Sequence, residues 1–373
     1  MKRLFTPGPL NTSAAVKEAM LVDVGSRDTL FVEAVKYVRE ELLAVANVSK
    51  DNYTSVIIQG SGTYAIESVL SSAIGIFDKV LILINGVYGD RMRRIAIVQG
   101  IDHVCLEWAE DEVIDPAQVE EVLKEDNHIT HIAWVHSETT SGVFNPVDEI
   151  ASLCIKYRKS GILDAMSSFG AAKIQLEDSG IDFLVSSSNK CIQGTPGFAF
   201  VIARKEALAA TEGQATTLTL DLFDQWKGLE KNGQFRFTPP TLSLMSFRTA
   251  LEELKLEGGV SAREDRYKAN NTIVRRGLQE MGFRSYLRDE IQGHIITTFI
   301  YPTSDFDFEQ FYEKLNKRDC VIYPGKLTKA ATFRIGNIGH LFAKDMGHLI
   351  TSVRDTCMEM GIPVGNAPLD LQQ

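Results

Sequence analysis

The chain has 373 residues, enough for one large domain and a smaller one. With 44% hydrophobic and 24% charged residues, its composition is globular rather than disordered or collagen-like. A formal net charge of -10 argues against a nucleic-acid partner, which needs concentrated Lys and Arg, yet one buried Arg in a cleft still suffices to hold a small anion.

The five cysteines, Cys105, Cys154, Cys191, Cys320 and Cys357, are scattered without a C-x-x-C pair. That predicts neither a disulfide framework nor a metal site, and suits a reducing, cytoplasmic compartment. The N-terminus MKRLFTPGPL lacks an apolar signal core, and no stretch approaches about 18 uninterrupted apolar residues, so no membrane association is expected.

In chain order, Ser13 or Thr12 is placed to cap a helix running through Met20, and FVEAVKYVREELLAVANV reads as a long amphipathic helix. From about residue 54 to 203, short apolar runs alternate with helical patterns: TSVIIQ, KVLILIN, HVCLEW, THIAWVH, GILDAM, DFLVSS and GFAFVIA. This alternation predicts an α/β fold with a mostly parallel sheet between helices. Between the runs, Ile66, Leu70, Ala73 and Ile74 fall on one helical stripe, as do Val147, Ile150, Leu153 and Tyr157. After residue 210 a polar segment leads to FRFTPPT, whose prolines forbid regular structure, and then to a helix from about Ser243. A boundary near 255 divides a large domain, 1–255 with an N-terminal bracing segment, from a small α+β domain, 256–373. The latter carries helices near 261–281 and 343–360, a helix over DFEQFYEKLNKR, and strands at HIITTFIY, CVIY and TFRIG.

In open α/β sheets, ligands bind at the carboxyl ends of strands, and four such places carry chemistry. QGSGTYAIESVL offers Ser61, Gly62 and Thr63 at a strand-to-helix turn, where free N–H groups and the positive helix end hold phosphate; read bare, it is simply a turn with a capping Thr. GILDAM ends in Asp164, either a partner for a protonated ring nitrogen or a cap on the segment through Ser167. In FLVSSSNKCIQGTPGFAFVIA, Lys190 falls between two strands that should be buried, which is no place for a solvated surface lysine and suits covalent use of its amine. Cys191 beside it reads as a small core residue. In NGVYGDRM, Tyr88 is placed to stack on a flat ring or to pack on its own helix start. HSETTSG adds Thr139, Thr140 and Ser141 as donors toward a ring oxygen, with His136 read as a core histidine.

Together these residues resemble the aspartate-aminotransferase fold type (fold type I) of pyridoxal-5'-phosphate (PLP) enzymes, and within it the class V aminotransferases. The resemblance runs from FTPGPLNTSAAVKEAM through QGSGTYAIES, NGVYGDRM, HSETTSGVFNP, LDAMSSFG, SSSNKCIQGTPGFAFV and FTPPT to FRIGNIG. HSETTSG, DAMSSFG and SSSNKCIQGTPGFAFVIAR look most like the branch that transfers the amino group of 2-aminoethylphosphonate to pyruvate. The rival is an alanine- or serine-to-glyoxylate type.

The resemblance implies PLP as cofactor, Lys190 as its Schiff-base lysine, Asp164 as pyridinium partner and Tyr88 as ring stacker. It further implies Ser61, Gly62 and Thr63 as phosphate cradle, Thr139 at the ring hydroxyl, and Arg334 on the substrate's anion. Thr238 would reach the phosphate of a neighbouring subunit, which makes a homodimer with shared active sites the expected assembly and small amines and 2-oxoacids the partners. The sequence departs from the pattern at Ser141 and in the segment Asp23–Phe31, DVGSRDTLF, for which no role is assigned.

Overall fold

The computed structural model describes residues 2–327 and 330–364. Seven strands form the main sheet: β1 Tyr53–Gln59, β2 Lys79–Ile84, β3 Asp102–Glu107, β4 His131–Val135, β5 Ser160–Asp164, β6 Ile181–Ser187 and β7 Phe198–Arg204. Their order across the sheet is β1-β7-β6-β5-β4-β2-β3. All neighbours are parallel except where β7 meets β1 and β6. Each strand is one of the expected apolar runs, because a sheet covered by helices on both faces buries both sides of every strand and leaves no room for polar alternation. The edge strand β3, half-exposed along its length, shows the contrast.

Strand order reverses between β4 and β2, and the crevice at their carboxyl ends is where the site lies. Two helices start at that rim, α1 Gly62–Ala73 after β1 and α2 Val87–Gln99 after β2. Ser13 rather than Thr12 caps the first short helix, its Oγ accepting from Val16 N, and that helix ends at Glu18.

The polar stretch after 210 is not irregular throughout. Leu222–Asn232 is a helix with Asp221 as cap, burying Leu222, Phe223 and Leu229. With only a few apolar residues among Asp, Gln, Lys and Glu, its stripe is too thin to stand out by periodicity.

Two long helices follow, α3 Thr241–Glu257 and α4 Gly259–Glu280, parted at Gly258. Beyond them β8 Ile296–Ile300, β9 Tyr323–Pro324 and β10 Thr332–Gly336 make a small antiparallel sheet in the order β8-β10-β9. Phe299, Phe311 and Phe333 lie in its core. The first residues of the chain join this unit: Arg3–Leu4 pairs in parallel with Cys320–Val321, and Phe5 is buried in the same aromatic core. A separate buried cluster of Leu10, Ala171, Cys191, Tyr267, Ile295 and Ile338 fills the seam between the two sheets.

Candidate active site

The strand ends enclose a cavity of about 190 Å³ whose walls include Ser61, Gly62, Thr63, Tyr88, Asp164 and Lys190. Sites expected from four separate stretches of sequence thus converge on one space, whereas Thr139, Thr238 and Arg334 do not form part of its wall. Arg91, Ser137, Met166, Ser187 and Asn189 complete much of the lining.

Lys190 stands just past β6 on a turn that several distant groups hold. Gln193, at φ +68, donates from its side chain to Tyr267 Oη at 2.6 Å and to Gly339 O at 2.8 Å. Arg263 Nη1 donates to Cys191 O at 2.6 Å. Cys191 is buried in the seam and burial pushes its thiol up to about 12, which leaves it inert as a nucleophile. The Lys190 amine donates to Pro7 O at 2.8 Å. A side chain on Gly8 would fall 2.7 Å from Lys190 Cδ, and φ there is +118, so both space and backbone call for glycine. Burial lowers the Lys190 pKa to about 8, opposed by Cys191 and Asp164 and assisted by Arg334 and Arg91.

Asp164 ends β5 with 5% exposure. Its Oδ1 accepts from Met166 N at 2.8 Å, so the capping bond falls on Met166 rather than Ser167. Burial raises its pKa to about 6 against the pull of that N–H, Arg91 and Lys190. A desolvated carboxylate with one N–H bond favours a cation beside it.

Glu138 is a second buried carboxylate. It accepts from Tyr88 N, Thr140 N and Thr140 Oγ1 at 3.1, 3.2 and 2.5 Å. Burial lifts its pKa to about 7 despite these donors, and the Asp164 charge lifts it further. Any side chain at Gly86 would collide with it, the added Cβ lying 2.3 Å from Glu138 Cδ. It therefore ties the loop after β4 to the start of α2.

Tyr88 lines the cavity one turn before Arg91, whose guanidinium carbon lies 4.8 Å from the Tyr88 ring centre. Arg334 is 2% exposed in mid-strand of β10; its Nε donates to Pro324 O at 3.0 Å and its Nη1 to Thr139 O at 2.9 Å. The hydroxyls of Ser137, Thr139, Ser141 and Ser187 are buried with no hydrogen-bond partner among the described residues. Thr238 stands apart from the cavity: it is exposed, with its carbonyl 3.5 Å from Gln59 Nε2. His136 is buried against Phe144, its pKa pushed down to about 4 by burial, as expected of a core histidine.

Three site features escaped the sequence reading. Arg91 lies three residues past Tyr88 and so on the same helical face, a spacing visible in NGVYGDRM. Glu138 gives the same signal as Asp164, a carboxylate just past a buried strand. Pro7 and Gly8 gave none, since only chain packing brings the N-terminus over Lys190.

Residues 13–336 match the aminotransferase class-V family. A 2-aminoethylphosphonate–pyruvate transaminase of Bacteroides fragilis is 47% identical over 355 residues, 95% of this chain and 98% of that protein. One of Salmonella schwarzengrund is 48% identical over 354 residues, 94% of this chain and 96% of that protein. Among solved structures, ureidoglycine–glyoxylate aminotransferase from Bacillus subtilis superposes with a TM-score of 0.90 at 22% identity, covering 98% of this chain and 95% of that one.

Proposed function

This chain belongs to the aminotransferase class-V family, and on that premise we propose that it converts 2-aminoethylphosphonate and pyruvate to phosphonoacetaldehyde and L-alanine. The observation that carries the reading is near-complete coverage at almost half identity by relatives of that one activity. A glyoxylate-type activity is the weaker reading, since the likeness to a glyoxylate enzyme is one of fold at 22% identity.

The cofactor is PLP. The residues fit it: an amine at Lys190, a desolvated carboxylate at Asp164, orphaned hydroxyls at Thr139 and Ser187, and a helix N-terminus at Gly62. When bound, it supplies an aldehyde that condenses with amines and a ring that withdraws electrons.

These residues support the following roles. Asp164 holds a proton on the ring nitrogen by charge. Thr139 meets the ring oxygen, Tyr88 covers the ring face, and Ser61, Gly62 and Thr63 receive the phosphate. Lys190, its pKa lowered to about 8 chiefly by burial, gives up its proton more readily than an ordinary lysine and moves the proton at the substrate's amino carbon. Arg334 binds phosphonate in one half-reaction and carboxylate in the other. Carbonyl bonds hold its Nε and Nη1, which fixes the plane of the fork before substrate arrives.

We take 1–255 and 256–373 as the two domains, with 365–373 outside the described residues. A homodimer fits the exposed Thr238 and its rim neighbours Phe237 and Tyr64, which are apolar and exposed at 43% and 53%. A cytoplasmic location fits free cysteines at all five positions. No helix among the described residues is long and apolar enough to cross a membrane.

The test mixes holoenzyme with each amine alone and follows the cofactor's visible absorbance. Rapid bleaching by 2-aminoethylphosphonate is expected. Bleaching by serine with none by 2-aminoethylphosphonate would reject the phosphonate reading and leave the cofactor assignment standing.

A further inference from the structure

Arg91 is a cation with no salt-bridge partner among the described residues, its side chain half-buried at the cavity wall. The neighbouring Asp90 is taken by Arg93, which also reaches Glu107. Placing a guanidinium in a partly desolvated cleft is unfavourable unless an anion meets it.

The direction of Arg91 shows where that anion belongs. Nη1 donates to Thr63 Oγ1 at 3.0 Å, and the guanidinium carbon lies 4.8 Å from the Tyr88 ring centre, so two walls of the cavity fix its plane. Thr63 is the second residue of α1, a 12-residue helix whose first N–H groups have no partner within the helix. The hydroxyl of Ser61, the residue before the helix, makes no capping bond and stays available. Ser187 Oγ, buried and unpartnered, lines the same cavity. Backbone N–H groups, hydroxyls and one guanidinium therefore converge on one spot, the donor set of a tetrahedral phosphorus dianion.

Two such groups enter this enzyme, the cofactor's phosphate and the substrate's phosphonate. We propose that Arg91 is a cofactor-binding residue that clamps the phosphate of PLP through the Thr63 end of the cavity. The bond to Thr63, at the start of α1, decides for the cofactor, since Arg334 is tied instead to Thr139 and Pro324. Arg91 also acts on Asp164, whose carboxylate its charge favours against burial, so the phosphate end and the ring end of the site are electrostatically linked. The inference rests on PLP as cofactor and is independent of which amine is the donor.

The experiment titrates apoenzyme with PLP and, separately, with pyridoxal, which lacks the phosphate. In Arg91→Gln the dissociation constant for PLP should rise about tenfold to a hundredfold, while that for pyridoxal stays within about twofold. Arg93→Gln, on the exposed side of α2, should change neither. Equal losses for both ligands would mean that Arg91 only supports the fold and would overturn the proposal. So would unchanged PLP affinity, including the case in which the half-reaction at saturating PLP needs more 2-aminoethylphosphonate, because the anion would then be the substrate's. If Arg91→Gln does not fold, Arg91→Lys decides: keeping the charge but losing the fork, it should still weaken PLP selectively, and the same PLP-to-pyridoxal ratio as wild type would sink the idea.

Discussion

In the large unit, Lys190 and Asp164 stand at the carboxyl ends of adjacent parallel strands, so the sheet itself sets them side by side. In the small unit, Arg334 sits in mid-strand of an antiparallel sheet and reaches the site only because its Nη1 meets the carbonyl of Thr139, 195 residues away. The first pair is positioned by one element of the fold, the second residue by the docking of two. On the proposed roles, the groups that touch the cofactor belong to the rigid sheet, whereas the group assigned to the substrate crosses a seam, where small changes in packing alter what is bound.

The largest effect expected is at Lys190. Lys190→Ala should reduce turnover to background and abolish the borohydride-fixed link between cofactor and chain, while PLP still binds through its phosphate. Fixation to another lysine, found by peptide mapping, would move the site elsewhere. Next, Asp164→Asn should slow the half-reaction about a hundredfold or more with the fold intact, because the side chains are nearly isosteric while the charge is gone. Unchanged single-turnover rates would remove Asp164 from any role at the ring nitrogen.

Across the seam the loss should be graded instead. Arg334→Gln should lower kcat/KM for both 2-aminoethylphosphonate and pyruvate by about tenfold to a hundredfold each, the worth of a charge-assisted pair. A loss confined to one substrate would show that the two anions do not share the residue. A loss as complete as that of Lys190→Ala would erase the contrast between the two units.

The last effect concerns Glu138 and is read from the pH dependence of stability rather than from turnover. Its pKa rises from 4.5 to about 7 in the folded protein, chiefly by burial, with Asp164 beside it and the cations Arg334 and Lys326 close enough to interact. Between those values the folded state holds more protons than the unfolded one, so this group's contribution is present below about pH 4.5 and is lost as pH rises through about 7. Apoenzyme stability should therefore carry a component of up to about 3 kcal/mol that declines over that window. Glu138→Gln should flatten it in thermal unfolding scans. An unaltered slope would assign the pH dependence to another group.

Lys190, Asp164, Tyr88 and the Ser61–Thr63 turn were legible because a strand buried on both faces announces itself as an uninterrupted apolar run, and its end marks the rim where ligands sit. The alternatives left open in the sequence closed only in space: Asp164 both binds Met166 N as a cap and faces the cavity. Arg91 and Glu138 were readable in principle but looked like ordinary helix and loop charges, since nothing local says that a charge lacks a partner.

Short-range pattern suffices to place the strands of the main sheet, most of the helices between them, and the lysine and carboxylate at the strand ends. Long-range packing alone makes Pro7 meet Lys190, lets α4 steady the lysine turn through Arg263 and Tyr267, and brings Arg334 to Thr139. Those contacts join residues far apart in the chain through single hydrogen bonds and a six-residue seam, and no periodicity in the sequence encodes which distant surfaces will meet.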